Sequence, residues 1–217
     1  MKMYQDYFLY QIANSDIRYY PWTHVLFKDI FHFSHYELLL NNLPDESYLV
    51  DITKIKKHPV NYPNKRLVLD NYDILPSSQG QFWKTQRDSF LDGDLKDLLL
   101  NKFWPLIINR IGQQYINEVE FYDTFQLTKD KKGYMLEAHP DCFDKIFTVV
   151  INLPKDDSCV DMGTVIYNES REVVYATSFL PNTGFGVFRS DNSWHGVEET
   201  DEDRWTIQYT IWGKDKS

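Results

Sequence analysis

The sequence alternates apolar and polar side chains along Arg204-Trp-Thr-Ile-Gln-Tyr-Thr-Ile-Trp212. Residues two apart on an extended strand point to the same side, so Arg204 and Thr206 would share one face. The pattern predicts a strand that buries its apolar side and presents polar groups on the other. The apolar side carries Trp205, Ile207, Tyr209 and Ile211.

A succession of short β segments precedes this strand, beginning near Glu118. Turn-forming sequences such as Lys129-Asp-Lys-Lys-Gly133 and Pro154-Lys-Asp-Asp157 separate them. Many short strands without intervening helices indicate an all-β sandwich or jelly roll. The predicted strands are Val119 to Leu127, Tyr134 to His139, Ile146 to Leu153, Thr164 to Tyr167, Val173 to Phe179, Gly184 to Phe188, Ser193 to Val197 and Arg204 to Trp212.

Two helices are predicted in the first half of the chain. Ser34-His35-Tyr36-Glu37 matches a capping box and should begin a helix that stops before Pro44. A second helix should end at Gly112, and Pro105 should kink it or divide it in two. Its apolar stripe consists of Leu95, Leu98, Leu99, Phe103 and Leu106.

These patterns together predict one domain over residues 1–217, of mainly β (α+β) class. A jelly-roll core, or double-stranded β-helix, would occupy residues 118–213. Helices and substrate-side elements from residues 1–117 would pack on its outside. The length of 217 residues suits a single compact domain, and no Pro/Gly/Ser-rich linker divides the chain.

Charge and composition argue against several classes of partner. With 23 Lys and Arg against 32 Asp and Glu, the formal net charge of -9 would repel a phosphate backbone, so no nucleic-acid partner is expected. No stretch approaches the roughly 20 apolar residues of a membrane span, and residues 1–11 lack signal-peptide features. Cys142 and Cys159 do not have metal or disulfide spacing. We therefore expect a cytoplasmic protein with reduced thiols and no membrane partner; the sequence does not indicate an oligomeric state.

His139-Pro-Asp141 is a candidate pair of metal ligands, because an imidazole and a carboxylate two residues apart on a strand point to the same side. Taken alone this motif is weak evidence. A similar pair, His35-Tyr-Glu37, falls in the first turn of the predicted capped helix, where residues two apart do not face each other.

His195 adds a third candidate ligand several strands later. Two histidines and one carboxylate on one face of an iron ion leave three open positions, enough for a bidentate co-substrate and dioxygen. Zinc usually prefers four tetrahedral ligands, and no nearby Cys or further His offers a fourth.

Arg204 and Thr206 follow His195 on the predicted strand. An arginine that points into a barrel needs an anionic partner, because an unpaired buried guanidinium is very costly. A 2-oxo dicarboxylate would fit, with one end on the iron and the far carboxylate on the planar Arg204 fork and the Thr206 hydroxyl.

At these positions the sequence resembles the iron(II) and 2-oxoglutarate dependent oxygenase superfamily, in particular stand-alone hydroxylases of the prolyl-hydroxylase-like type. The resemblance covers roughly residues 119–212. The stretches that carry it are Gly133 to Asp141, Gly163 to Tyr167, Asn182 to Phe188, Ser193 to Val197 and Arg204 to Thr206.

The resemblance implies iron(II) on His139, Asp141 and His195, and 2-oxoglutarate as co-substrate on Arg204 and Thr206. It implies hydroxylation of an unactivated C–H bond of a small molecule or peptide by dioxygen, with release of succinate and carbon dioxide. Arg204 stands where the prolyl hydroxylases have lysine, which weakens the case for a prolyl substrate. Because the carboxylate ligand is present, hydroxylation is favoured over halogenation. Tyr134 and Thr148 are further candidate contacts to the co-substrate.

One alternative is a non-catalytic or differently metallated jelly roll of the cupin kind. Arg204 distinguishes the two readings, since such a module has no evident need for an inward arginine. The substrate pocket would be formed by the first half and by loops 62–73 and 169–175, with Arg66, Trp83 and Arg189 as candidate lining residues.

Overall fold

The computed structural model describes residues 2–55 and 65–216, which form five α-helices, three short 3-10 helices and twelve strands. The helices are α1 Lys2–Asn14, α2 Phe33–Asn41, α3 Ile52–Ile55, α4 Ser77–Phe90 and α5 Asp94–Ile111. The strands are β1 Ile17–Arg18, β2 His24–Phe27, β3 Val50–Asp51, β4 Arg66–Val68, β5 Val119–Asp130, β6 Leu136–His139, β7 Lys145–Asn152, β8 Val165–Tyr167, β9 Val173–Ala176, β10 Gly184–Phe188, β11 His195–Val197 and β12 Arg204–Asp215.

The strands form two antiparallel sheets. The large sheet has the order β1-β2-β10-β7-β12-β5-β4-β3, and the small sheet has the order β6-β11-β8-β9. All eight strands predicted from the sequence are present as β5 to β12, with ends that differ by at most three residues. The predicted mainly β class with helices in the first half is therefore confirmed.

The two faces of the large sheet differ as the alternation along β12 predicts. One face packs under the helices, where Ile207, Tyr209 and Ile211 belong to the main hydrophobic core. The other face is lined by polar side chains in directly opposed rows. These are Thr206, Gln208 and Thr210 on β12, Gln126, Thr128 and Asp130 on β5, and Thr148 and Asn152 on β7.

A second, smaller hydrophobic cluster joins the two sheets. Ile166 of the small sheet packs with Phe185 and Val187 of the large sheet and with Trp22 from the loop before β2. The polar face of the large sheet therefore faces the small sheet.

Helix α5 runs without a break from Asp94 to Ile111 and ends at Gly112, whose φ of 97° a side chain would disfavour. The expected end is confirmed. Pro105 does not divide the helix, and the alternative expectation, a kink there, stays a prediction. Burial of the apolar face keeps the helix continuous despite the missing backbone donor. The buried residues of α5 are Leu95, Leu99, Phe103 and Ile107, whereas Leu98 and Leu106 of the predicted stripe are only partly buried.

The capping box predicted at Ser34 is also wrong. Helix α2 begins at Phe33 after the N-cap residue His32, and no side chain caps it. The Ser34 hydroxyl instead pairs with the Tyr4 hydroxyl at 2.9 Å and with His32 Nδ1 at 2.9 Å. A long-range contact to Tyr4 of α1 and a local contact to His32 take the place of the predicted cap.

No helix within residues 2–55 and 65–216 is long and apolar enough to cross a membrane.

Phe103 should be essential for the attachment of α5 to the sheet, because its ring stacks on those of Phe147 and Phe188. The ring centroids are 4.4 and 5.9 Å apart. We expect Phe103→Ala to lower the free energy of unfolding by about 3–5 kcal/mol, measured by urea denaturation. Trp104→Ala removes an exposed ring from the same helix and should cost less than about 1 kcal/mol. Equal effects of the two substitutions would contradict this account of the packing.

Candidate metal and anion site

His139, Asp141 and His195 lie together between the sheets. His139 ends β6 and His195 begins β11, and their Cα atoms are directly opposed in the antiparallel pair. The two imidazole centroids are 4.7 Å apart. One ligand atom from each of the three residues can be chosen so that all lie within 4.8 Å of one another. Such a group could hold one metal ion.

Hydrogen bonds orient both imidazoles for coordination. His139 Nδ1 lies 2.9 Å from the carbonyl oxygen of Glu137, and His195 Nδ1 lies 2.9 Å from that of Ser193. Because a carbonyl only accepts, each Nδ1 must carry the proton and donate it. This leaves the Nε2 lone pair of each ring to bind a metal, the usual arrangement of ligating histidines.

His24 shows the contrast. Its Nδ1 likewise donates to a backbone carbonyl, that of Trp22 at 2.7 Å, but its Nε2 accepts a hydrogen bond from the Tyr175 hydroxyl. Both ring nitrogens are therefore occupied, and His24 is a buried structural histidine beside the site.

Asp141 is buried and ionised. Lys145 Nζ donates to its Oδ1 at 2.6 Å, and Thr148 Oγ1 donates to its Oδ2 at 3.2 Å. Burial alone would raise the pKa of Asp141, but the Lys145 ammonium and the two histidines lower that pKa to about 2. The group is thus a carboxylate at neutral pH, as a metal ligand must be.

The histidines are neutral at the same pH. Burial is the main cause that lowers the pKa of His195, to about 4, with Asp141 acting in the opposite direction. The pKa of His139 is also lowered, chiefly by burial. Two neutral imidazoles and one carboxylate are the protonation states that a divalent metal requires.

Arg204 lies in a second buried cluster on the polar face of the large sheet. Its Cα is directly opposite that of Asp130, which in turn is opposite Arg66 on β4. Arg66 holds the Asp130 carboxylate with two hydrogen bonds, Nε to Oδ1 at 2.6 Å and Nη2 to Oδ2 at 2.9 Å. Arg204 Nη1 reaches only to 3.8 Å from Oδ2.

Arg204 lies beside one carboxylate and one guanidinium. The Asp130 carboxylate raises the pKa of Arg204, and the Arg66 guanidinium lowers it. Within residues 2–55 and 65–216, no group hydrogen-bonds to Nε or Nη1 of Arg204, although the residue is only 2% exposed. Burial is the main cause that lowers the pKa of Arg204, with Arg66 adding to it. A buried cation in this state is costly, and a single carboxylate from a ligand would compensate it.

The structure places the other sequence candidates as follows. Thr206 shares the polar face with Arg204, as predicted, and its hydroxyl pairs with that of Thr128 at 2.7 Å. Tyr134 is fully buried, with the Arg66 guanidinium 4.7 Å from its ring centroid. Thr148 lies at the metal end of the site, on Asp141.

Two candidate pocket-lining residues lie elsewhere in the structure. The prediction for Trp83 is wrong, because this residue is fully buried in the main core and donates its indole N–H to the Asn42 carbonyl at 2.6 Å. Arg189 supports the backbone next to Asp141, with Nε 3.3 Å from the Asp141 carbonyl oxygen. Loop 62–73 begins outside the described residues, which lack 56–64.

Sequence reasoning missed Asp130 by assigning it to a turn. Strand β5 continues through Asp130, three residues beyond the predicted end. A signal was present, since Gln126, Thr128 and Asp130 continue a polar period of two along the strand.

No family model matches the sequence, and no curated protein matches it. Solved structures do match. A prolyl 4-hydroxylase from Phytophthora capsici superimposes with a TM-score of 0.55 at 14% identity, over 88% of this chain and 58% of that one. This chain therefore spans little more than half of that protein.

Two other structures match over most of their length. A prolyl-4-hydroxylase from Pseudomonas putida has a TM-score of 0.55 at 10% identity, over 96% of this chain and 98% of that one. An oxidoreductase of the 2OG-Fe(II) oxygenase family from Burkholderia pseudomallei has a TM-score of 0.52 at 15% identity, over 96% and 89%. This chain has the 2OG-Fe(II) oxygenase fold. At such low identity the likeness concerns the fold, and the chemistry rests on the residues described above.

Asp130 should contribute strongly to stability, because it is the anion between two buried guanidinium groups. We expect Asp130→Asn to lower the free energy of unfolding by about 3–5 kcal/mol, the usual cost of removing one partner of a buried ion pair. Asp88→Asn breaks an exposed pair with Arg87 and should cost less than about 1 kcal/mol. Chemical denaturation of the two variants tests this, and equal small losses would contradict the buried-cluster account.

Proposed function

We propose that the chain is an iron(II) and 2-oxoglutarate dependent oxygenase. Iron(II) would bind to His139, Asp141 and His195, and 2-oxoglutarate to Arg204 and Thr206. In this proposal residues 1–217 form one oxygenase domain, with a jelly-roll core in 118–213 and helical and substrate-side elements in 1–117. The substrate is a small molecule or a peptide that is hydroxylated at an unactivated C–H bond.

One observation carries the proposal. Two incomplete sites occur in the same region: a triad with the protonation states of metal ligands, and a buried Arg204 whose Nε and Nη1 have no hydrogen-bond partner among the described residues. A metal ion would complete the triad, and an anion would complete the Arg204 site. A 2-oxo dicarboxylate suits both, because its 2-oxo acid end could bind the metal while its far carboxylate binds Arg204.

The proposed cofactors would supply the oxidising chemistry: with iron(II) bound, 2-oxoglutarate and dioxygen are converted to succinate, carbon dioxide and an oxidant for the substrate C–H bond. The chain has to hold these groups and exclude water.

Each part of the site has an identifiable task. The Arg204 guanidinium would bind the distal carboxylate of 2-oxoglutarate. Asp130, which Arg66 holds with two hydrogen bonds, lies 3.8 Å from Arg204 Nη1 and would help to orient the guanidinium. Lys145 and Thr148 keep the Asp141 carboxylate oriented. Buried rings of Trp22 and Phe185 lie 6.1 and 6.4 Å from the His195 ring and keep water from that side.

The cupin-like alternative is less well supported. A module that binds only a metal would leave Nε and Nη1 of the buried Arg204 without a hydrogen-bond partner among the described residues. The prolyl 4-hydroxylases among the similar structures do not narrow the substrate, since they share the fold only. A cytoplasmic location and the absence of nucleic-acid and membrane partners stay predictions from the sequence.

An anaerobic titration with iron(II) and then 2-oxoglutarate tests the proposal. We expect a visible charge-transfer band that requires both additions and is absent in His195→Ala. Arg204→Ala should require on the order of 100-fold more 2-oxoglutarate, because charge-assisted hydrogen bonds worth about 3 kcal/mol are lost. Arg87→Ala removes an exposed cation from α4 and serves as the matched control, with no change expected.

Absence of the band in the unmodified protein, despite verified iron binding, would refute the oxygenase assignment. An unchanged requirement for 2-oxoglutarate in Arg204→Ala would refute the role of Arg204 alone.

A further inference from the structure

Asp141 differs from the two histidines in its support. His139 and His195 lie on paired strands, but Asp141 lies in the loop of residues 140–144 between β6 and β7. A metal ligand has to be held within about 0.5 Å of its productive position. The loop must therefore be fixed by contacts other than strand pairing.

Arg110 supplies such contacts from the last turn of α5. Its Nη1 donates to the Lys145 carbonyl at 2.7 Å, and its Nη2 donates to the Phe143 carbonyl. The planar guanidinium thus spans two carbonyl oxygens on the C-terminal side of Asp141, which a single-point donor could not do.

Arg189 approaches the same loop from the end of β10. Its Nε donates to the carbonyl of Asp141 itself, at 3.3 Å, and its Nη1 pairs with Asp191. The Phe143 ring is 75% exposed, and the guanidinium carbons of Arg110 and Arg189 both lie 5.4 Å from its centroid. The exposed ring therefore contacts two cations.

Electrostatics alone does not explain why two arginines occur here. Burial is the main cause that lowers the pKa of Arg110, to about 10; Arg189 acts in the same direction, and Asp191 and Asp144 act against it. Cations this close to a metal site would also repel a divalent ion. The hydrogen bonds to the loop give a benefit that compensates these costs.

We propose that Arg110 and Arg189, which both contact Phe143, act as positioning residues that hold the Asp141 loop in its metal-binding conformation. We call this set the arginine clamp. The inference rests on the proposed function, and it gives helix α5 a direct part in the metal site. Loss of the clamp should weaken metal binding, because the Asp141 carboxylate would sample positions away from the histidines.

The direction of the effect separates this role from a purely electrostatic one. Replacement of Arg110 by a neutral residue removes a nearby positive charge, which by Coulomb's law should strengthen the binding of a divalent cation. Loss of positioning should weaken it, typically by about 10- to 100-fold for a residue that orients a ligand.

The test is a titration of the 217-residue chain with Mn²⁺, in which electron paramagnetic resonance measures the free ion. We expect Arg110→Met to raise the dissociation constant by about 10-fold or more, and Arg110→Lys to give an intermediate value. Lys102→Met is the matched control: Lys102 lies on the same helix, is likewise half-buried, and donates to the carbonyls of Ala13 and Ser15 at 2.7 and 2.6 Å. It should leave Mn²⁺ affinity unchanged.

Unchanged or tighter Mn²⁺ binding in folded Arg110→Met overturns the clamp and leaves the proposed function standing. If Arg110→Met does not fold, as circular dichroism would show, an Arg110→Lys variant with native affinity overturns it equally. If the unmodified protein does not bind Mn²⁺, or binds it equally well after His195→Ala, the metal assignment fails and the clamp with it.

Discussion

The pairing of β12 with β5 and β7 is the constraint on which the rest of the structure depends. β12 pairs with β5 over its whole length, from Arg204 opposite Asp130 to Asp215 opposite Val119, and with β7 on its other side. A shift of one residue in this register would exchange the two faces of the strand. It would place Arg204 in the helix-covered core and expose the apolar residues that now anchor the helices.

The two ends of the polar face carry different charged groups. At the metal end, Lys145 and the neutral histidines surround the single carboxylate of Asp141. At the other end, Arg66 and Arg204 both approach Asp130, and Nε and Nη1 of Arg204 receive no hydrogen-bond partner from the described residues. Buried polar groups without an internal partner are where a protein commonly binds ligands, because the ligand supplies the missing partner.

The fold is shared with oxygenase structures at only 10% to 15% sequence identity, because the fold constrains the sequence weakly. Sheet order and register require only that strands alternate and that their apolar sides meet the helices, which many sequences satisfy. A site requires particular residues at a few positions. In this chain those positions lie where the small sheet faces the polar side of the large one.

The sequence by itself determined strands β5 to β12, the C-terminal end of α5 and the side on which Arg204 and Thr206 lie, because periods of 2 and 3.6 residues are local properties. It also indicated His139 and Asp141 as a pair, although β6 ends at His139 and Asp141 lies in the loop that follows. Only the tertiary structure decided that Asp130 meets Arg66, 64 residues away, and that Arg110 reaches the Asp141 loop. Those contacts, and the replacement of the predicted Ser34 cap by Tyr4, depend on strand register and helix docking, which no local pattern encodes.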